Sequence, residues 1–171
     1  MLGLVLLYVG AVLLVNGLAA LGRIAAREAA VLNVFVGLIS VAGSAAIAGA
    51  GTAASIRDGA FGLLFGLTYL WVAWNQFAGH DGRGLGWFCG FVAVTAAAIA
   101  ADLSGAGAAP GSAWLAACWG LWSVLWAGHF AIGALQRKAL VRPVAWLSIG
   151  EAVVTAWLPG YLLLTGRLAA P

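Results

Sequence analysis

The sequence predicts an all-α polytopic membrane protein whose six transmembrane helices form three repeated helical hairpins. Three observations carry that expectation. Of the 171 residues, 64% are hydrophobic and only 8% are charged, against about half apolar and about a quarter charged in soluble domains. The apolar residues gather into six stretches, each near the roughly 20 helical residues that span a hydrocarbon core of roughly 30 Å. Short connections marked by Gly, Asp and Pro separate the stretches, so consecutive helices must pack as antiparallel neighbours.

The stretches run Leu2 to Leu21, Ala30 to Ala50, Ala60 to Gly79, Gly86 to Ala101, Ser112 to Ala134 and Val144 to Thr165. Together they read as a single transmembrane domain over 1–171, with no separate soluble domain. The first begins at Met1 with no basic stretch before it and exceeds a signal-peptide core, so it is expected to be a retained helix. His80-Asp81-Gly82-Arg83-Gly84 breaks the third stretch from the fourth, and Gly105-Ala106-Gly107-Ala108-Ala109-Pro110 the fourth from the fifth. Gly3 and Asn16 in the first stretch match the spacing of Gly62 and Asn75 in the third, and His129 can be placed at the same station in the fifth. A threefold repeat of helical hairpins accounts for that spacing. Gly62/Gly66 and Gly86/Gly90 are GxxxG pairs of the kind that let helix backbones approach closely, and ordinary tight packing is the simpler reading of them.

Arg23 and Arg27 occupy the first connection, Arg83 the third, and Arg137, Lys138 and Arg142 the fifth. Six of the eight basic residues therefore share one side, which the positive-inside rule assigns to the cytoplasm. Both termini then face outward. The pI near 9.3 does not indicate nucleic acid, because these charges sit singly or in pairs at helix ends and form no patch. Cys89 and Cys118 fall inside predicted helices, with neither a CxxC pair nor a His/Cys cluster, so no metal, cofactor or redox role is expected. Phosphate loop, dinucleotide fingerprint and catalytic triad patterns are all missing, which argues against an enzyme.

Membrane tryptophans normally occupy the two interfaces, and Trp71, Trp74, Trp87, Trp114, Trp146 and Trp157 lie near enough to helix ends to fit. Trp119, Trp122 and Trp126 fall at the middle of the fifth helix, within a sector of roughly 60°. Two readings stand: a surface for packing helices, or one wall of a hydrated path. Each indole N–H at that depth needs an acceptor, since an unsatisfied donor in hydrocarbon costs several kcal/mol. Matching stripes exist elsewhere: Leu2, Leu6, Val9, Leu13 and Asn16 on one face of the first helix, and Phe65, Tyr69, Val72 and Gln76 on one face of the third.

Glu151 is the one acidic residue well inside a helix, and two roles are open to it: a structural carboxyl hydrogen-bonded to a neighbouring helix, or a functional group. Thr155 shares its face one turn on, and Pro159 frees a carbonyl that needs a partner. His129, close to the cytoplasmic end, reads as an interface histidine with its hydrogen bonds satisfied. One buried acid without a buried Lys or Arg partner is thin machinery for a coupled transporter, so a passive path for a neutral solute fits better.

The chain resembles the AmiS/UreI family of amide and urea channels. The resemblance is carried by Met1-Leu2-Gly3-Leu4-Val5-Leu6-Leu7-Tyr8-Val9-Gly10 with Asn16-Gly17, by Gly62-Leu63-Leu64-Phe65-Gly66-Leu67-Thr68-Tyr69-Leu70, by Trp119, Trp122 and Val124-Leu125-Trp126, and by Glu151 with Thr155-Ala156-Trp157-Leu158-Pro159. It implies six-helix protomers in a homo-hexameric ring in the bacterial cytoplasmic (inner) membrane, with a solute pore through each protomer. It also implies a pore lined by Leu2, Leu6, Val9, Leu13, Phe65, Tyr69, Trp122, Leu125 and Trp126, with Trp119 on the approach. Leu125 enters on the resemblance alone. In acid-gated relatives the outward loops are longer and rich in histidine, whereas here the second and fourth connections contain none. That favours the ungated amide-channel branch, which accompanies a cytoplasmic aliphatic amidase.

The expected activity is passive passage of small neutral amides such as urea, acetamide and formamide. Two rivals are kept: a proton-coupled carrier using Glu151, and a non-transporting subunit whose tryptophans form an interface with a partner.

Overall fold

Six long helices account for most of residues 1–105 and 112–169, which the computed structural model describes. The expected Gly105 to Pro110 connection lies, from residue 106 onward, outside the described residues. Helix α1 spans Leu2–Ala20, α2 Ala26–Ala48, α3 Ala53–Ala78, α4 Arg83–Ser104 and α5 Ala113–Gly133. Helix α6, Lys138–Leu164, opens with a 3-10 turn at Lys138–Leu140 and is α-helical over Val141–Glu151. It widens to π-helix over Ala152–Trp157 and closes as α-helix over Leu158–Leu164.

Five of these helices, α1, α2, α4, α5 and α6, are long and apolar enough to cross a membrane. Helix α3 has the length, 26 residues, but Tyr69, Asn75 and Gln76 lower its hydropathy. It starts at Ala53 rather than at residue 60 because a capping box forms ahead of the apolar stretch. Thr52 Oγ1 accepts from Ser55 N at 3.1 Å, and Ser55 Oγ accepts from Thr52 N at 3.0 Å. Hydropathy marks the apolar part of a helix, whereas the cap marks its end.

Around the bundle, α3 packs most extensively on α2, α5 on α4, and α1 on α6, while α1–α2, α3–α4 and α5–α6 touch more lightly. The α1–α6 seam closes the circuit. Gly3, Gly10 and Gly17, at intervals of seven residues, supply its close approach. A Cβ on Gly10 would lie 2.7 Å from Trp157 N and 2.9 Å from Ala152 O, and one on Gly17 2.8 Å from Ala145 O. The two GxxxG pairs serve the other seams: Gly62 and Gly66 meet Ser44 and Val41 of α2, and Gly86 and Gly90 meet the end of α5 at Ala134 and Phe130. They act as packing devices within the chain.

The π-segment has a local cause. Pro159 lacks an N–H, and its ring crowds the carbonyl four residues back, that of Thr155. Widening the turn relieves the crowding and leaves Thr155 O to receive the thiol of Cys118 on α5, at 3.7 Å. Proline chemistry in α6 thereby fixes where Thr155 meets the tryptophan ladder.

Candidate solute pathway

Of the nine tryptophans, Trp119, Trp122 and Trp126 are buried, while Trp71, Trp74, Trp87, Trp146 and Trp157 are exposed on the outside of the bundle. The ladder on α5 faces the aromatic stripe of α3. Phe65 is its hub, with ring centroids 5.7 Å from Trp119, 5.0 Å from Trp122 and 4.8 Å from Trp126. Its ring stands at 86° to that of Trp122, and Trp119 meets Trp122 edge to face at 5.2 Å. Such edge contacts add about 0.5–1.5 kcal/mol per pair beyond burial, which favours this arrangement of the rings without preventing their rotation.

Helix α6 locks the middle of the ladder. Trp122 Nε1 donates to Thr155 Oγ1 at 2.9 Å, and the threonine hydroxyl donates to Glu151 O at 2.7 Å. The indole N–H groups of Trp119 and Trp126 find no protein acceptor among the described residues.

A cavity of about 230 Å3 lies against this cluster. It runs from Asp81, Gly82 and Lys138 at the ends of the α3–α4 and α5–α6 connections inward to Phe65 and Trp122. Of the expected lining residues, Leu13, Phe65, Tyr69, Trp122, Leu125 and Trp126 border it. Leu6, Val9 and Trp119 are buried in the packed core beyond it, with Leu2 half-buried against them. Glu151 is only 3% exposed, does not border the cavity, and has no hydrogen-bond partner on either carboxyl oxygen. Its backbone carbonyl, rather than its side chain, takes part in holding Thr155.

Two residues that the sequence did not mark as lining, Thr68 and Ser148, complete the walls together with Asn16 and His129, which it did mark for attention. Thr68 and Ser148 line the cavity, and nothing in their spacing separates them from ordinary helix hydroxyls. Asn16, at the end of the α1 stripe, lines it too and is held by Asn33 of α2. The two carboxamides exchange hydrogen bonds of 3.0 and 2.6 Å, and Asn33 also donates to Ala29 O at 2.8 Å. His129 borders the cavity as well, with Nδ1 paired to Leu125 O at 2.9 Å.

Among the described residues, the charged side chains lining the cavity are Asp81, 3.3 Å from Arg83, and Lys138, both at the mouth. Inward of them the described lining is aromatic, aliphatic, thiol, hydroxyl and amide, with the His129 imidazole as its one ionisable nitrogen ring. An ion entering would lose hydration without compensating charge, whereas a flat uncharged solute would keep dispersion contacts and a few hydrogen bonds.

Known proteins match along nearly the whole chain. A profile of the AmiS/UreI family of transporters matches residues 1–167. A putative amidate substrates transporter protein of Mycolicibacterium smegmatis is 43% identical over 167 residues, 96% of this chain and 77% of that one. The acid-activated urea channel of Helicobacter pylori is 37% identical over 191 residues, 95% of this chain and 97% of that one. The cryoEM structure of the Helicobacter pylori urea channel in its closed state superposes with a TM-score of 0.86 at 35% identity, covering 99% of this chain and all of that one. These relatives are channels or transporters rather than enzymes, and the chain is a multi-pass membrane protein. It belongs to the AmiS/UreI family of transporters.

Proposed function

We propose that this chain is a passive channel for small neutral amides, with urea, acetamide and formamide as representative solutes. The observation that carries the reading is a cavity whose described walls carry no Asp, Glu, Lys or Arg inward of its mouth and which ends on the Phe65, Trp122 and Trp126 cluster. Aromatic faces give a planar amide dispersion and weak N–H to π contacts. No strong ligand holds it there, so release stays fast. Solute leaving the cavity passes the constriction by side-chain rotation and continues along Trp119, Val9, Leu6 and Leu2. All six helices cross the bilayer in this reading, as three hairpins forming one domain; α3 tolerates its polar residues because they face the other helices.

The cavity mouth lies at connections that carry Arg83, Arg137 and Lys138, which supports a cytoplasmic mouth and outward termini by the positive-inside rule. The protomer belongs in a homo-hexamer in the bacterial inner membrane and delivers amides to a cytoplasmic amidase. The absence of histidine from the second and fourth connections favours the ungated amide branch over acid activation. Glu151, buried with both oxygens unpartnered, supports a second reading, a proton-coupled carrier. The two separate in an uptake experiment with labelled acetamide. A channel equilibrates the label without accumulation and ignores an uncoupler. Accumulation that collapses with uncoupler and is lost in Glu151→Gln would decide for the carrier.

A further inference from the structure

Three polar groups lining the cavity share a feature that residue types alone do not reveal: Thr68, Ser148 and His129 each give a hydrogen to a backbone carbonyl. A carbonyl oxygen can only accept, so each side chain bonded to one must be donating. Thr68 donates its hydroxyl hydrogen to Leu64 O at 2.6 Å, and Ser148 donates its own to Leu13 O at 2.9 Å. His129 Nδ1 carries a hydrogen to Leu125 O at 2.9 Å, so Nε2 of the uncharged ring is an acceptor. Asn16 has one N–H and one carbonyl lone pair taken by Asn33. What remains from Thr68, Ser148 and His129 is lone pairs. The donors stand elsewhere on the wall, at the Tyr69 hydroxyl and the unpartnered Trp126 indole.

We infer that Thr68, Ser148 and His129, with Asn16 beside them, form an acceptor wall that selects solutes by their free N–H groups, the carbonyl oxygen being left to Trp126 and Tyr69. This rests on the channel reading and adds the chemistry of its selectivity. A primary amide brings two N–H donors and urea four, so entry exchanges bonds to water for bonds to the wall. An N-alkylated amide leaves acceptors facing a methyl group. Each hydrogen bond to the wall that a solute cannot make lowers its affinity by about two- to tenfold. Aromatic and leucine surfaces alone would not make that distinction, since an added methyl group increases apolar contact.

Isomers test this without a change of composition. Acetamide and N-methylformamide share one formula, with two N–H groups and one respectively, and N-methylformamide is the narrower across its chain. Permeability is measured by stopped flow in proteoliposomes, with the flux of empty vesicles subtracted. Acetamide is expected to exceed N-methylformamide by about tenfold. The ratio should fall to within about twofold in the double variant Thr68→Val, Ser148→Ala and recover in Thr68→Ser, Ser148→Thr, which keeps both acceptors. Elution of each variant at the wild-type volume establishes its assembly. Equal permeabilities in the wild type, or a ratio unchanged in the double variant, overturn the acceptor wall while leaving the channel intact. Absence of any amide flux above empty vesicles overturns the channel reading and the wall with it.

Discussion

Trp126→Ala is expected to widen the amide range: the preference for acetamide over butyramide, two methylenes longer, falls by about tenfold or more. The reason is geometric. The Trp126 ring lies 4.8 Å from Phe65 by centroid and borders the cavity directly, so truncation enlarges a space that already exists. Burial of a tryptophan usually makes its removal cost about 3–5 kcal/mol. Here one side of the ring already faces open space, so the cost is expected at or below the lower end and assembly survives. Trp122→Phe is the informative companion. It keeps an aromatic face toward Phe65 but removes the donor to Thr155 Oγ1, loosening the ring without opening the bore. Flux assays with acetamide and butyramide, run beside size-exclusion profiles, separate the two effects.

Gly10→Ala is expected to damage both stability and flux. Its Cβ would meet backbone atoms on α6, Trp157 N and Ala152 O, at 2.7 and 2.9 Å, and neither can yield as a side-chain tip could. The strain falls on the π-segment that presents Thr155 to Trp122. Overpacking of about 1–3 kcal/mol, or about 3–10 °C in the apparent Tm, should accompany reduced amide flux. Gly150→Ala is the matched control. It lies on α6 with nothing within 4 Å of its Cβ position, so it should leave Tm unchanged or raise it through helix propensity. Thermal denaturation of the two purified variants in one detergent checks the difference in sign.

These two positions also show how much the sequence carried. The tryptophan ladder stood out because large aromatics at mid-membrane depth are unusual, and the stripe of Phe65 and Tyr69 stood out for ending at Gln76. The structure brings Phe65 and the ladder into contact. The Gly3, Gly10 and Gly17 seam escaped notice because α1 is apolar on every side, so no hydrophobic face points to its partner. Four-residue glycine spacings are the familiar sign of close helix approach, whereas this seam repeats every seven. Thr68 and Ser148 were silent for another reason: a hydroxyl on a helix commonly bonds a backbone carbonyl, and only its neighbours in space say whether its lone pairs face a cavity. Asn16 ended a stripe in the sequence, but its partner Asn33 on α2 emerges only from the folded chain. The Glu151 and Thr155 pairing on one face was legible, whereas the division of labour between them was not: the threonine hydroxyl holds Trp122 and the carboxyl stays apart.

The central claim is a path open to neutral planar amides and closed to ions, and one pair of solutes tests it most directly. Urea and guanidinium are both flat, Y-shaped and of similar size, differing chiefly in charge. In proteoliposomes containing the purified chain, urea should equilibrate at least about a hundredfold faster than guanidinium, because the cavity inward of Asp81 and Lys138 offers no counter-charge. Urea flux equal to that of empty vesicles, or guanidinium flux matching that of urea, would contradict the account.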